Sequence, residues 1–485
     1  MTTEQLSTGL LIDGCWRPAA DGATMAVIDP ATEERIGMIA QAGRADTEAA
    51  IAAAARAFES WRSVPAWERS KILRKAASLL AERVDRVARR MTLEIGKPLA
   101  QSRAEVLAAA ETIDWYADEA RRIYGETLPG RSTRQRFVTL REPVGPVAAF
   151  TAWNFPVVLQ ARKIAPALAA GCTVVCRPAE EGTGAVAMLI GCFLDAGVPA
   201  GVINMLTGVP GEIAEAVMDS ELIRKVSFTG SIPVGQHLIR RSADTVKRIS
   251  MELGGHAPVI VHEDADPVLA AKASAVAKFR NNGQVCVSPT RFYVHEKLRA
   301  AFTDAFVDAV KAMRLGHGLE PETDIGPLIN RRRLEAVERM VEDTKASGAA
   351  LLCGGRRPAS PNRGFFFEPT VFGDVPDSAR VMHDEPFGPI AALSTFQSFE
   401  DVIARANGPS YGLAGYVFTA SLGRAQRTAE ALKVGMVGVN SFAVATAEMP
   451  FGGVKHSGFG RENGAEGLRD YLDVKFVSIE LPGDV

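Results

Sequence analysis

Between residues 143 and 253, apolar and polar positions change in blocks. Short apolar runs (VGPVAAF, CTVVCRP, GVINMLTG, KVSFTG, KRISMEL) alternate with stretches of helical period over residues 157–170, 184–196, 212–219 and 234–241. Strands that are apolar throughout suit a sheet covered on both faces. Strand–helix repetition of this kind predicts a parallel, doubly covered sheet whose ligands bind at the carboxyl ends of the strands. From about residue 257 a second α/β region is predicted. It contains VIVH, a helix over 267–280, RFYVHEKL, helices over 299–313 and 331–347, LLCGG, PTVFGDV and AALSTF. A helix near 400–406, GYVFT, a helix near 422–432 and MVGVN close it. Upstream, residues 10–40 read as short strands. Helices follow over 46–60 (Asp46 as N-cap), 66–92 and 99–124. The segment 128–140 is polar and strand-like, and 473–480 alternates as an exposed strand does.

Composition narrows the class. A chain of 485 residues is long enough for about three domains. With 47% hydrophobic and 23% charged residues it reads as an ordinary globular protein, and a net charge of −2 gives no reason to expect nucleic acid or an acidic membrane surface. The cysteines (15, 172, 176, 192, 286, 353) are too scattered for a disulfide framework and fit a reducing cytoplasm. Cys172 and Cys176 read as core packing. The histidines show no ligand spacing, so no metal is expected. The N-terminus lacks the basic start and long apolar core of a signal peptide, and the longest apolar run, 164–176, is broken by Pro166 and Gly171, too short to span a membrane. The arginines of NRRRLEAVERM read as a solvated helix face, and residues 61–69 as purely structural.

The candidate chemistry lies at element ends. The stretch KFRNNGQVCVSPTR holds Cys286 between a polar, turn-rich segment and Pro289, a setting in which free backbone N–H groups stabilise a thiolate. A cysteine alone is more often core filler. Three further segments change that weighting. SMELGGHAP places Glu252 at the end of a strand, FTAWNFP places Asn154 after another, and EPFGP supplies a second carboxylate, Glu385. There is no GxGxxG. The glycine spacing of GSIPVG is not followed by Lys-Ser/Thr, which excludes a nucleoside triphosphatase. FTGS opens a helix, where Ser231 and nearby N–H groups suit a pyrophosphate. Glu180, at the end of a strand, suits a ribose diol and repels a 2′-phosphate, which favours NAD over NADP.

Taken in order, FTAWNFP, FTGS, MELGGHAP, FRNNGQVC, EPFGP and PFGGVKHSGFGRE resemble the aldehyde dehydrogenase superfamily, and the chain is most similar to NAD(P)-dependent succinate-semialdehyde dehydrogenases. The resemblance implies a Rossmann-like parallel-sheet cofactor domain (1–123 and 142–252) and a second α/β catalytic domain (253–455). It also implies a small β oligomerisation arm with bridging segments (124–141 and 456–485), in a homodimer or homotetramer. The implied reaction takes a small aldehyde to its acid. Cys286 is the nucleophile, Asn154 and the Cys286 N–H hold the oxyanion, hydride passes to a nicotinamide, and Glu252 activates the water that hydrolyses the thioester. Lys163 and Glu462 match positions tied to proton relay. The implied cofactor contacts are Thr151, Trp153, Arg177, Glu180, Gly208, Gly211, Phe228, Thr229, Gly230, Ser231, Leu253, Glu385 and Phe387. Relatives usually carry lysine where Arg177 stands, so NADP stays possible. Arg162 and Arg280 match arginines that bind the distal carboxylate of succinate semialdehyde, with Thr446 beside them. Two positions depart from that subfamily. Ala445 stands where it has a serine, and Ser288 stands where it has a second cysteine, so no disulfide can form between neighbouring cysteines. Glutarate semialdehyde stays open. A CoA-acylating enzyme is disfavoured by Glu252, and a catalytically silent relative by the joint presence of Cys286, Glu252 and Asn154.

Overall fold

The computed structural model describes residues 8–482; the first seven residues, part of the stretch read above as lacking a signal peptide, lie outside it, as do 483–485. The chain opens with strands β1 (Leu10–Ile12), β2 (Cys15–Arg17), β3 (Thr24–Ile28) and β4 (Arg35–Ala40), then helices α1 (Arg44–Trp61), α2 (Ala66–Glu82), α3 (Val84–Ile95) and α4 (Leu99–Glu119). Gly43, not Asp46, is the N-cap of α1. Asp46 sits three residues in and accepts from the Gly43 N–H at 3.3 Å, closing the helix start from inside. The long helix expected over 66–92 breaks at Arg83, which leaves helical geometry (φ −97°, ψ 12°).

Strands β5 (Thr127–Pro129) and β6 (Gln135–Pro143) precede the regular alternation: β7 (Val147–Phe150), α5 (Pro156–Ala170), β8 (Val174–Arg177), α6 (Thr183–Ala196), β9 (Ile203–Met205), α7 (Pro210–Asp219), β10 (Lys225–Thr229), α8 (Ile232–Ser242) and β11 (Arg248–Glu252). The second half contains β12 (Ala257–Val261), α9 (Pro267–Phe279), β13 (Pro289–His295), α10 (Arg299–Lys311), α11 (Arg331–Ala346), β14 (Ala350–Cys353), β15 (Thr370–Gly373) and β16 (Ile390–Phe396). It ends with α12 (Phe399–Asn407), β17 (Ala414–Phe418), α13 (Leu422–Ala431), β18 (Met436–Val439), β19 (Gly458–Phe459), α14 (Gly464–Arg469) and β20 (Leu472–Glu480).

Among the described residues the strands form four sheets. The first runs β19-β11-β10-β7-β8-β9-β1-β2, and its β11-β10-β7-β8-β9 centre is parallel. The chain moves outward from β7 in one direction to β8 and β9, then returns to its other side for β10 and β11. The strand order therefore reverses beside β7, which is where an open α/β sheet offers a crevice at its carboxyl edge. The second sheet runs β14-β15-β16-β13-β12-β17-β18. Cys286 and Glu385 precede β13 and β16, so this sheet meets the first with its amino edge. Strand β6 pairs antiparallel with β20 from Pro143↔Leu472 to Gln135↔Glu480, forming a small three-stranded sheet with β5. Strand β19, from the segment assigned to bridging, pairs with β11 and extends the first sheet. Among the described residues no helix is long and apolar enough to cross a membrane.

Two buried carboxylates organise the helices behind the first sheet. Helix α5 is buried along its whole length, and neither α5 nor α6 has a side-chain cap at its own N-terminus. Glu105 on α4 accepts from the Val157 and Val158 N–H groups at 2.9 and 3.2 Å, and Glu94 on α3 accepts from Gly184 and Ala185 at 3.1 Å each. Remote glutamates thus take the place of N-caps at two positive helix ends. Lys97 pairs with Glu105, and Arg90 with Glu94. Burial pushes the Glu94 carboxyl up, and Arg90 and the two N–H groups pull it back. Removing Glu94 leaves the α6 N–H groups unpaired in the interior. Glu94→Ala is expected to cost about 3–5 kcal/mol, the usual loss when one partner of a buried pair is deleted, read as a lower urea midpoint at unchanged m-value.

Candidate active site

The nucleophile loop is fixed from several directions. After α9, Asn281 and Asn282 adopt φ of +48° and +55°, a region Asn tolerates better than most residues. Asn281 Nδ2 donates to the Asn154 carbonyl at 3.0 Å, and Asn282 Nδ2 to the Gly326 carbonyl at 2.9 Å. Gln284 donates to the Asn281 carbonyl at 3.1 Å and accepts from Ile329 N–H at 3.0 Å. Behind Cys286, the Tyr416 hydroxyl donates to the Val287 carbonyl at 2.7 Å, and the buried Lys278 ammonium to Ser288 Oγ at 3.2 Å. The two glycines of MELGG make room for this loop and for EPFGP. A Cβ on Gly255 would lie 2.4 Å from the Cys286 carbonyl oxygen, and one on Gly254 would lie 2.5 Å from Glu385 Oε2. Glu385 Oε1 accepts from the Gly255 N–H at 3.2 Å.

Asn154 follows β7, and one of its amide N–H bonds goes to the Gln284 carbonyl at 3.1 Å, leaving the other free. Its own carbonyl accepts from Lys97 at 2.8 Å. Lys97 also lies over the Phe155 ring at 3.7 Å, with Arg280 5.3 Å from the same ring's centroid. Lys97 and Glu105 thus hold the WNF segment from behind. Sequence reasoning assigned them nothing, because an isolated lysine after glycine and an isolated glutamate in a helix look like surface residues.

The electrostatics correct one expectation. Glu252, 4% exposed, has both oxygens without a hydrogen-bond partner. Burial, then the Glu462 charge, raise its pKa to about 7, against Lys163 and Arg162. Glu385 is pushed up to about 8, mainly by burial. The Cys286 thiol is raised well above its ordinary value by burial and by the Glu252 and Glu385 charges, which outweigh Arg162. The loop therefore does not hold a preformed thiolate. The thiol must hand its proton to a neighbour, and Glu252 is the group beside it.

A cavity of about 690 Å³ runs along this loop. Asn154, Arg162, Glu252, Arg280 and Cys286 line it together with Trp153, Thr229, Gly230, Ser231, Leu253, Glu385 and Phe387. Arg162 stacks 4.6 Å from the Phe451 ring centroid. Trp153 and Phe387 meet edge to face at 5.6 Å, with Phe387 held at φ +41°. Ala445 lines the cavity and Thr446 does not; the Thr446 carbonyl instead accepts from Asn463 at 2.8 Å. Lys163 and Glu462 pair with each other in the interior, with Lys163 also donating to Ser227 Oγ at 3.2 Å. Of the three arginines 331–333 read as a solvated face, Arg331 and Arg332 are exposed and Arg333 is half-buried; Arg332 and Arg333, with Arg339, border the cavity, because α11 packs beside the EPFGP loop.

The remaining cofactor candidates cluster at the carboxyl edge of the first sheet. Thr229 Oγ1 is buried without a partner beside the α8 N-terminus, whose N-cap Ser231 makes no side-chain cap. Phe228 packs under Gly230, where a Cβ would lie 2.5 Å from its ring, and Leu253 fills the space at Gly235. Thr151 Oγ1 donates to Gln160 at 2.9 Å. Arg177 bonds Glu180 at 2.6 Å and the Gly208 carbonyl at 2.9 Å. Gly208 (φ +136°) passes so close to Ala42 that no side chain fits, whereas Gly211 has open space around it. An orphan hydroxyl and a helix N-terminus at this edge fit a dinucleotide's phosphates, with Glu180 following β8 in the chain and paired with Arg177. Among the described residues no cluster of His, Cys, Asp and Glu could hold a metal ion.

A model described as "Aldehyde dehydrogenase family" matches residues 16–477. A 4-(hydroxymethyl)benzenesulfonate dehydrogenase from Comamonas testosteroni is 46% identical over 96% of this chain and 97% of its own length. A succinate-semialdehyde dehydrogenase [NADP(+)] from Escherichia coli is 42% identical over 97% of each chain. The solved structure of a succinate-semialdehyde dehydrogenase from Burkholderia pseudomallei superposes with a TM-score of 0.96 at 42% identity over 98% of both chains.

The raised Glu252 pKa has a sign that can be tested. A carboxyl titrating higher in the folded than in the unfolded state lowers stability as pH climbs from the ordinary carboxylate range through about 7. Glu252→Gln is therefore expected to gain urea resistance over wild type at pH 8 and none at pH 4. In the same variant the pH profile of Cys286 alkylation by iodoacetamide should move to lower pH, since one repelling charge is gone.

Proposed function

The chain belongs to the aldehyde dehydrogenase family and carries out NAD(P)-dependent oxidation of aldehydes, and from that premise we propose that its substrate is an aldehyde bearing a remote anionic group. The observation that carries this reading is that Arg162 and Arg280 line one cavity with Cys286 and Asn154. Two guanidinium forks suit the oxygens of a carboxylate or sulfonate. Succinate semialdehyde and glutarate semialdehyde fit the carboxylate case, and the relative named for a benzenesulfonate supports the sulfonate case. Thr446 is not among the residues lining the cavity, so the anion pocket rests on the two arginines.

The proposed roles follow from the site. Glu252 takes the Cys286 proton as sulfur bonds the carbonyl carbon. The free Asn154 N–H and the Cys286 N–H face the resulting oxyanion, where fixed donors in a dry cleft act most strongly. When bound, the dinucleotide accepts the hydride that leaves the thiohemiacetal, and Glu385 and Phe387 position its nicotinamide ribose. Glu252, once deprotonated, activates water against the Cys286 thioester, releasing the acid. Glu180, paired with Arg177, favours the ribose diol of NAD. A reducing compartment is proposed from the six unpaired cysteines. A homodimer or homotetramer is proposed from the exposed Val474, Phe476 and Ile479 of β20.

The test is NADH formation with succinate semialdehyde, 4-formylbenzenesulfonate and butanal. Arg162→Ala/Arg280→Ala should lose on the order of 100-fold in kcat/KM or more for the anionic aldehydes, as expected when charge-assisted hydrogen bonds are removed, and little for butanal. Equal losses on all three would remove the anion-pocket reading. Glu180→Ala, which frees Arg177 for a phosphate, should raise the NADP:NAD ratio of kcat/KM by roughly tenfold, about 1.4 kcal/mol.

A further inference from the structure

One face of helix α4 borders the active-site cavity with Gln101, Ala104, Glu105 and Ala108, which stand at i, i+3, i+4 and i+7. Two of them are polar. Glu105 is engaged by the α5 N-terminus and by Lys97. Gln101 makes two bonds of a different kind. Its Oε1 accepts from the Asn281 N–H at 2.8 Å, and its Nε2 donates to the Asp324 carbonyl at 3.0 Å. A donor on one side and an acceptor on the other fix which way the amide points, since turning it over would break both bonds. A primary amide carries two N–H bonds, and among the described residues the second has no partner.

The N–H that Gln101 holds belongs to the peptide joining Arg280 to Asn281. Helix α9 ends at Arg280, with ψ 134°, and Asn281 turns the chain at φ +48°. The direction in which Arg280 leaves this corner depends on what holds that peptide. Asn281 Nδ2 ties the corner to the oxyanion side, through the Asn154 carbonyl, and Gln101 ties it to α4. The Arg280 guanidinium lies 5.3 Å from the Phe155 ring centroid, and among the described residues neither it nor that of Arg162 has an ion pair. Arg162 Nε is buried without a partner. Two cations and one amide N–H therefore stand without acceptors along one cavity, and Ala445, on the same cavity, offers no hydroxyl. Native interiors rarely leave donors in that state.

We propose that Gln101 is a specificity-determining residue for the anionic end of the substrate: it fixes the peptide that carries Arg280 and adds its free N–H to the two guanidinium groups. The proposal rests on the anion pocket read above. A neutral amide suits the place, because a carboxylate there would pair with Arg280 and cancel one of the two charges that draw the anion. The junction around Gln101 has bonds of its own. The Leu99 N–H donates to the Gly318 carbonyl at 2.8 Å, and Asn282 Nδ2 to the Gly326 carbonyl at 2.9 Å. Helix α4, the nucleophile loop and the segment 318–326 thus stay joined when the amide is removed, and what changes is the aim of Arg280.

The test separates holding the anion from the chemistry at Cys286. Gln101→Ala should raise KM for succinate semialdehyde and 4-formylbenzenesulfonate about tenfold, as expected when one hydrogen bond to a charged group is lost, with kcat little changed and KM for butanal moved far less. Because KM need not equal a dissociation constant, succinate itself is titrated into the protein by calorimetry, and its Kd should weaken by the same factor. Gln101→Glu keeps the acceptor for Asn281, loses the N–H groups and adds a negative charge. It should weaken succinate further than Gln101→Ala does and raise kcat/KM for betaine aldehyde, whose remote end is cationic. Being isosteric with the amide, it decides the matter even where Gln101→Ala folds poorly. Equal losses on butanal and the two anionic aldehydes put Gln101 on the oxyanion side, through Asn281 and Asn154, and overturn the proposal. So does wild-type succinate affinity in both variants. Arg162→Ala/Arg280→Ala distinguishes the two readings. If it loses succinate while the Gln101 variants bind normally, the anion pocket stands and Gln101 has no part in it. If it binds succinate like wild type, the pocket falls, and the role of Gln101 with it.

Discussion

Three ionisable acids, Cys286, Glu252 and Glu385, share one cleft that burial keeps from stabilising all their charges at once. Glu252 and Glu385 raise Cys286, and Glu252 raises Glu385; Lys163 and Arg162 draw Glu252 back, and the Gly255 N–H, Arg333 and Lys278 draw Glu385 back. This mutual restraint sets the order of events. A thiolate cannot wait in the apo site, so sulfur becomes nucleophilic only as its proton moves. The supporting structure serves the same restraint. The MELGG glycines bring the Cys286 loop and Glu385 to within van der Waals reach of one strand end, and the Lys97–Glu105 pair holds a neutral donor, Asn154, beside them.

The meeting of two sheets by opposite edges explains why no single motif carries the site. The first sheet contributes carboxyl ends, where Asn154, Thr229 and Glu252 emerge. The second contributes the turns that enter its strands, where Cys286 and Glu385 lie. The chemistry belongs to the seam. The cavity spans it, lined by residues from both edges.

Much of this is visible in the sequence, for definable reasons. Blockwise apolar strands announce the parallel sheet, and residues that must touch a reacting atom sit in short motifs at element ends. Other features leave no such trace. Glu94, Glu105 and Lys97 are single charges at ordinary helical spacing, and only tertiary packing turns them into remote caps. Arg333 is half-buried against the cavity although its neighbours Arg331 and Arg332 are exposed, because a helix period cannot tell which neighbour the edge of a polar face will meet. The choice between Ala445 and Thr446 turns on one residue of loop direction. The protonated state of Cys286 is a property of charges gathered from three other segments, which a local reading of its own loop cannot sum.

The Lys163–Glu462 pair joins positions 299 residues apart. At about 5–20 residues per second on the ribosome, Glu462 emerges roughly 15–60 s after Lys163. Until then, docking α5 would bury an ammonium without the carboxylate that pairs with it directly, at a cost of several kcal/mol. The central helix of the first sheet therefore waits for the distal part of its own chain. A nascent polypeptide holding Cys286 but not yet Glu462 has its nucleophile in hand and no finished core to aim it, so reactivity arrives only after nearly all of the chain has been made.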